Sequence, residues 1–128
     1  MITVAAVVFR DADGRMLAVR KRGTDRFLLP GGKLEPGESP AEAAAREVQE
    51  ELGVRVTPDE LTLLGEFEAA AANEPDHVVR STVFTHPAAI TPCAAAEIAE
   101  LRWASLEELS SDPSVAALTR DHVVPALR

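Results

Sequence analysis

One cysteine, one tryptophan, four phenylalanines and no tyrosine are the scarce residues of this 128-residue chain. Lone Cys93 cannot close a disulfide within the chain, and as a small hydrophobe it is expected in or near the core. With so few aromatics, few side chains can stack on a flat ring. Lysine and arginine number 13 against 21 acidic residues, a formal charge of −8, which excludes a general binder of polymeric nucleic acid. A small anionic substrate remains compatible with that charge, because bound divalent cations reverse the local field. No apolar run is long enough to span a bilayer, and the apolar start at Val4–Phe9 has neither a basic region before it nor a cleavage site after it. These absences lead to the expectation of a soluble, cytoplasmic protein without membrane or nucleic-acid partners, monomeric or homodimeric.

What is present suits one packed domain. Hydrophobic residues make up 46% of the chain, an ordinary globular share. At this length a fold buries roughly two thirds of its unfolded surface. There is no internal repeat and no linker-like stretch. Ile2–Arg10 reads as a strand, Asp11-Ala12-Asp13-Gly14 as a turn, and Met16–Arg22 as a returning strand, which predicts a hairpin. Phe27-Leu28-Leu29 is a short strand running into Pro30-Gly31-Gly32, where two glycines let the backbone come close to a neighbour.

The next helix is announced by Ser39 as N-cap, Pro40 at the first helical position and Glu42 completing a capping box; Gly53 marks its end. Ala41, Ala45, Val48 and Leu52 share a stripe that should pack on a sheet. Leu61–Ala70 and His77–His86 read as longer strands joined by a loop at Ala71–Asp76. Leu101–Ala104 follows as a strand, with Ser105 and Glu108 opening a short helix. Asp112-Pro113 begins a final helix running to about Leu127. Strands and helices that mix in this way predict an α/β or α+β sandwich.

Glu47, Glu50 and Glu51 stand at i, i+3 and i+4, a sector of about 100° on a helix. Like charges at that spacing cost about 0.2–0.5 kcal/mol per pair, and acidic groups in a last turn oppose the helix dipole. One reading is a solvated face with Arg46 paired to Glu42 and Glu50. The other is a divalent-metal site, favoured by the register with the glycine turn, Glu38, Arg46 and Gly53. Oxygen ligands with no Cys or His nearby suit Mg²⁺ or Mn²⁺ and disfavour Zn²⁺. His77, His86 and His122 are scattered and are expected to be surface or core residues. Metal and carboxylates together suit hydrolysis at phosphorus, in which the repulsion between phosphate oxygens and a nucleophile must be neutralised.

Gly32, then Glu38 after five residues, then Arg46-Glu47-Val48-Gln49-Glu50-Glu51-Leu52-Gly53-Val54 after seven more resemble the Nudix box, G-x5-E-x7-R-E-U-x-E-E-x-G-U with U aliphatic, at every fixed position. The resemblance covers residues 32–54 and the preceding Leu29-Pro30-Gly31. It implies a single Nudix domain over residues 1–128, an α/β/α sandwich on a central mixed β-sheet, with the box as loop–helix–loop. It implies cleavage of a nucleoside diphosphate linked to another group, with Mg²⁺ or Mn²⁺ as cofactor. By resemblance the metal ligands are Glu47, Glu50, Glu51 and the Gly31 carbonyl; Gly32 and Glu38 support the site, and Arg46 holds the glutamates. Glu50 and Glu51 carry the catalysis.

The resemblance to MutT-type members implies Glu97, six residues before Trp103, as general base, with Glu100 or a box glutamate as rivals. Lys33 is either a phosphate contact or an exposed loop lysine. Arg22 is either a phosphate contact or a solvated strand end. No tyrosine stands downstream as in dinucleoside polyphosphate hydrolases, and Ala69 and Ala70 stand where ADP-ribose pyrophosphatases carry a proline. The remaining resemblance is to MutT-type nucleoside triphosphate pyrophosphohydrolases. ADP-ribose or nucleotide-sugar cleavage, and nucleotide sensing without turnover, are the alternatives.

Overall fold

Strand β1 (Ile2–Val8) is apolar on both faces, and in the computed structural model of residues 1–128 both faces are buried. Alternation along the strand sends Ala5 and Val7 to one cluster and Ala6 and Val8 to another. Strand β2 (Met16–Lys21) does the same, with Leu17 and Val19 on one side and Met16 and Ala18 on the other. Strands buried on two faces need a cover on each, so a layered α/β/α sandwich follows.

The other strands are β3 (Phe27–Leu28), β4 (Gly31–Lys33), β5 (Thr62–Ala70), β6 (Val78–Thr85) and β7 (Ile98–Ala104). A mixed four-stranded sheet has the order β4–β1–β6–β5, with β1 parallel to β6 and the other pairs antiparallel. A second, antiparallel sheet has the order β3–β2–β7. Helix α1 (Pro40–Leu52) covers one face through Ala43, Ala44, Val48 and Leu52. The opposite face is closed by the C-terminal segment: α2 (Leu106–Ser111), a wide helical turn at Thr119–Val123 and α3 (Val124–Leu127) supply Leu109, Val123 and Val124.

Several elements differ from expectation. The predicted hairpin forms only at its tip, where Arg10 bridges Met16 and Leu17 N–H donates to the Phe9 carbonyl at 3.0 Å. Beyond that point β1 and β2 part into separate sheets, because β4 and β6 already occupy both edges of β1. Strand β7 begins at Ile98, three residues earlier than its apolar run suggests. The final helix does not start at Asp112-Pro113. The Asp112 carboxylate instead accepts from Ser114 N–H at 2.8 Å, and Ser114 and Val115 run alongside Phe27, whose N–H donates to the Ser114 carbonyl. Cys93 is exposed, not in the core. Its backbone explains the position: Cys93 N–H caps the Leu52 carbonyl at 2.9 Å, which leaves the side chain outside.

Candidate active site

Gly31 is required by close approach: a Cβ there would strike the Ala5 carbonyl and Ala6 on the neighbouring strand. A Cβ on Gly32 would lie 2.6 Å from the Glu47 carboxyl carbon, and the Glu47 side chain would have to yield. The expected glycine turn is instead the start of β4, lying between β1 and the carboxylates of α1. Ser39 caps the helix, accepting from Glu42 N–H at 3.1 Å while the Glu42 carboxylate accepts from Ser39 N–H at 2.8 Å. Gly53 closes it at φ 66°, donating to the Gln49 carbonyl.

Burial on α1 is turned relative to the predicted stripe. Ala43, Ala44, Val48 and Leu52 are buried and Ala41 and Ala45 only partly so, which brings Glu51 into the packed face. Glu51 is 6% exposed, and its carboxylate takes one hydrogen bond, from Gly31 N–H at 3.1 Å. Burial pushes its carboxyl up to about 8, partly offset by the Gly31 amide; Glu47 raises it further, Lys21 lowers it and Glu97 raises it. Glu50 next to it is largely exposed. Glu47 is held by Arg46, whose Nη1 donates to Glu47 Oε1 at 2.8 Å.

Arg46 is the organiser of this face. Its guanidinium forks onto Glu38 through Nε at 2.6 Å and Nη2 at 2.9 Å, and Nη2 also donates to the Lys33 carbonyl at 3.1 Å. Glu50 and Glu35 lie 3.6 Å from Nη1. Side-chain hydrogen bonds from Arg46, together with the Glu35 amide, hold Glu38 down at about 2. Glu42 does not pair with Arg46 as a solvated face would have it, because its carboxylate serves the capping box. No three acidic or imidazole side chains converge as a ready metal cage, since Arg46 draws Glu47 and Glu50 toward itself while Glu51 turns to Gly31.

Beside these groups opens a cavity of about 480 Å³ whose wall includes Lys21, Gly31, Gly32, Lys33, Glu47 and Glu97. That volume falls within the usual range for small-molecule sites. A match to the family model described as NUDIX domain extends over residues 1–127. The chain belongs to the Nudix family. A MutT-like protein of Streptomyces ambofaciens is 52% identical over 61 residues, 48% of this Nudix chain and 39% of that protein, so the chain spans well under half the length of that relative. The MutT protein of Methanosarcina mazei Go1 superposes with a TM-score of 0.83 at 26% identity, covering 99% of this chain and 93% of that one. The E. coli ORF135 protein aligns with a TM-score of 0.76 at 27% identity, over 99% and 88% of the two chains.

Around the Nudix box the structure brings Gly31, Gly32, Glu38, Arg46, Glu47 and Glu51 together, with Glu50 at the exposed rim. Glu97 borders the cavity just before β7, where Ala95 N–H caps the Glu51 carbonyl at 2.9 Å. Its rival Glu100 lies within β7 and is bound to Arg20 Nε at 2.9 Å. Lys33 lines the cavity, its Nζ 3.4 Å from Glu74 of the β5–β6 loop. Arg22 is exposed and outside the cavity wall; Lys21 stands there instead.

The physical reason is alternation: Lys21 follows Leu17 and Val19 onto one face of β2, and Arg22 falls on the other. A bulge in the partner strand brings the segment before β7 to the same place, since Arg20 faces Glu100 but Lys21 faces Ile98, so Ala99 is an extra residue. Sequence reasoning did not single out Lys21, although alternation separates neighbours in Arg20-Lys21-Arg22 onto different faces.

Proposed function

We propose that this protein is a metal-dependent pyrophosphohydrolase of nucleoside diphosphate-X compounds, acting on a nucleoside triphosphate to release a monophosphate and pyrophosphate. One observation carries the reading: Glu51 is a buried carboxylate bonded to Gly31 N–H, and Gly31 borders a cavity whose wall also bears Lys21, Lys33, Glu47 and Glu97. A buried carboxyl with a single amide donor and no ion-pair partner fits a site that takes in positive charge. The all-oxygen donor set of Glu47, Glu50, Glu51 and the Gly31 carbonyl suits Mg²⁺ or Mn²⁺. When bound, such a cation neutralises charge on the anhydride oxygens and favours attack at phosphorus.

The chain's own residues do the rest. Lys21 and Lys33 meet the phosphate oxygens, Lys33 exchanging its contact with Glu74 for the substrate. Arg46, fixed by Glu38, keeps Glu47 beside Gly32 and makes no substrate contact. Water attacks phosphorus as the bridging P–O bond breaks, and its proton passes to a carboxylate. Glu97 is that base, because it borders the cavity while Glu100 is engaged by Arg20.

A product assay over a nucleotide panel, with Mg²⁺ and with Mn²⁺, tests the reading. Triphosphates yielding monophosphate and pyrophosphate are the expected result. Cleavage of ADP-ribose or a nucleotide sugar instead would replace the substrate class, and tight binding without products would make the protein a sensor.

A further inference from the structure

Ser81 lies in the middle of β6, opposite Val4 of β1 and Phe67 of β5. The residues two places away, Val79 and Val83, are its apolar neighbours on the same face. Ser81 is 0% exposed, and its Oγ has no hydrogen-bond partner in the protein. Folded proteins seldom leave such a group unpaired, and an alanine would fill the position without that penalty. A hydroxyl kept there at a cost to the free protein calls for a partner that arrives from outside.

Ser81 also belongs to the wall of the cavity that carries Lys21, Lys33 and Glu97. That wall divides by chemistry. Its charged residues come from β2, β4, α1, the β5–β6 loop and the segment before β7, whereas β1, β6 and the C-terminal segment contribute mostly aliphatic side chains. No aromatic side chain lines it, so a ring bound there is held between aliphatic groups and is identified by polar contacts alone. Aliphatic walls confer little selectivity among rings of similar size. Of the neutral polar side chains in the wall, Asn73 is exposed, Thr24 is half-buried with its hydroxyl donating to the Lys21 carbonyl at 2.8 Å, and Ser81 and Thr119 are buried.

We propose that the Ser81 hydroxyl is the specificity-determining contact for the non-phosphate part of the substrate, a neutral heterocycle with a hydrogen-bonding edge such as a nucleobase. The proposal rests on the pyrophosphohydrolase reading of the same cavity. A hydroxyl both donates and accepts, so Ser81 takes a ring carbonyl or an amino group and rejects a carbon-bound hydrogen at that position. Because the hydroxyl is withdrawn behind the wall, the ring reaches it by pressing between the aliphatic side chains. The phosphates meanwhile lie toward Lys21 and Lys33.

The test compares wild type with Ser81→Ala in steady-state kinetics on the four common nucleoside triphosphates with Mg²⁺, and in thermal unfolding without nucleotide. The expected result is a KM about tenfold higher for the preferred triphosphate, a kcat within about twofold, a narrower spread of kcat/KM among bases, and a melting temperature at or above that of wild type. Equal kinetics in the two proteins would overturn the role of Ser81 while leaving the hydrolase reading in place. A lower melting temperature with kcat/KM reduced equally for all four substrates would also overturn it, because the hydroxyl would then serve the fold. A wild type that turns over none of the triphosphates would remove the functional reading and this inference with it.

Discussion

At the start of α1 the residues serve the helix itself, whereas at its end they work against it. Ser39, Pro40 and Glu42 satisfy the first amides and set the first turn, all through contacts within four residues. The last two turns hold Glu47, Glu50 and Glu51, and the last turn has no basic residue to match the dipole. Here the decisive partners are distant in sequence: Gly31 N–H for Glu51, Glu38 for the Arg46 that holds Glu47, and the amides of Cys93 and Ala95 for the final carbonyls. On the proposed function one end of the helix serves stability and the other chemistry, so damage at each should be read by a different instrument.

The sharpest break in that comparison is Glu51→Gln, expected to lower kcat by at least about 10²-fold with the fold retained by circular dichroism. Near-normal turnover would remove the metal assignment. Glu97→Gln is expected to lower kcat by about 10²-fold and Glu100→Gln to leave it near wild type. If Glu97→Gln retains its rate, the base belongs to the box itself. Arg46→Lys keeps the charge but loses the fork onto Glu38, and should lower kcat about tenfold and raise the Mg²⁺ concentration needed for half activity. At the other end, Ser39→Ala should cost about 1 kcal/mol in urea unfolding while kcat stays within about twofold. A large rate loss there would blur the division between the two ends.

Acid sharpens the same contrast. The Glu38 carboxyl is held at about 2 by Arg46 against an ordinary value of 4.5, so its contribution to stability is complete above pH 4.5 and fades as pH falls toward about 2. Arg46→Ala lacks this contribution. Its unfolding free energy should therefore change less than that of wild type across the same interval, as followed by urea titration at each pH. A parallel decline in both proteins would mean that the Arg46–Glu38 pair does not couple to folding.

Much of the fold was legible because its signals are local. The capping boxes at Ser39 and Ser105, the glycine at position 53 and the apolar runs of β1 and β2 report on neighbours a few residues away, and each element formed close to its expected limits. Misreadings arose where a distant partner decides. Asp112–Val115 follows Phe27 and so does not begin a helix, and Cys93 is exposed because its backbone is spent on α1. In the site, the box residues announced themselves by spacing, and five of them, Gly32, Glu38, Arg46, Glu47 and Glu51, meet beside Gly31. Spacing did not reveal that Glu51 falls within the packed face while Glu50 stays outside, nor that Lys21 and not Arg22 borders the cavity. Both depend on how α1 and β2 are rotated against their neighbours.

The extra Ala99 has a meaning beyond local geometry. It acts as a phase shifter between two halves of one strand: Glu100 onward keeps step with Arg20 and its predecessors, while Ile98 and Glu97 obey the opposite parity. Run the same residues through an unbroken ladder, and composition, charge and apolar content would not alter at all. Yet Ile98 would then face Arg22 in place of Lys21, every side chain upstream would trade sides, and the carboxylate beside the cavity would look outward.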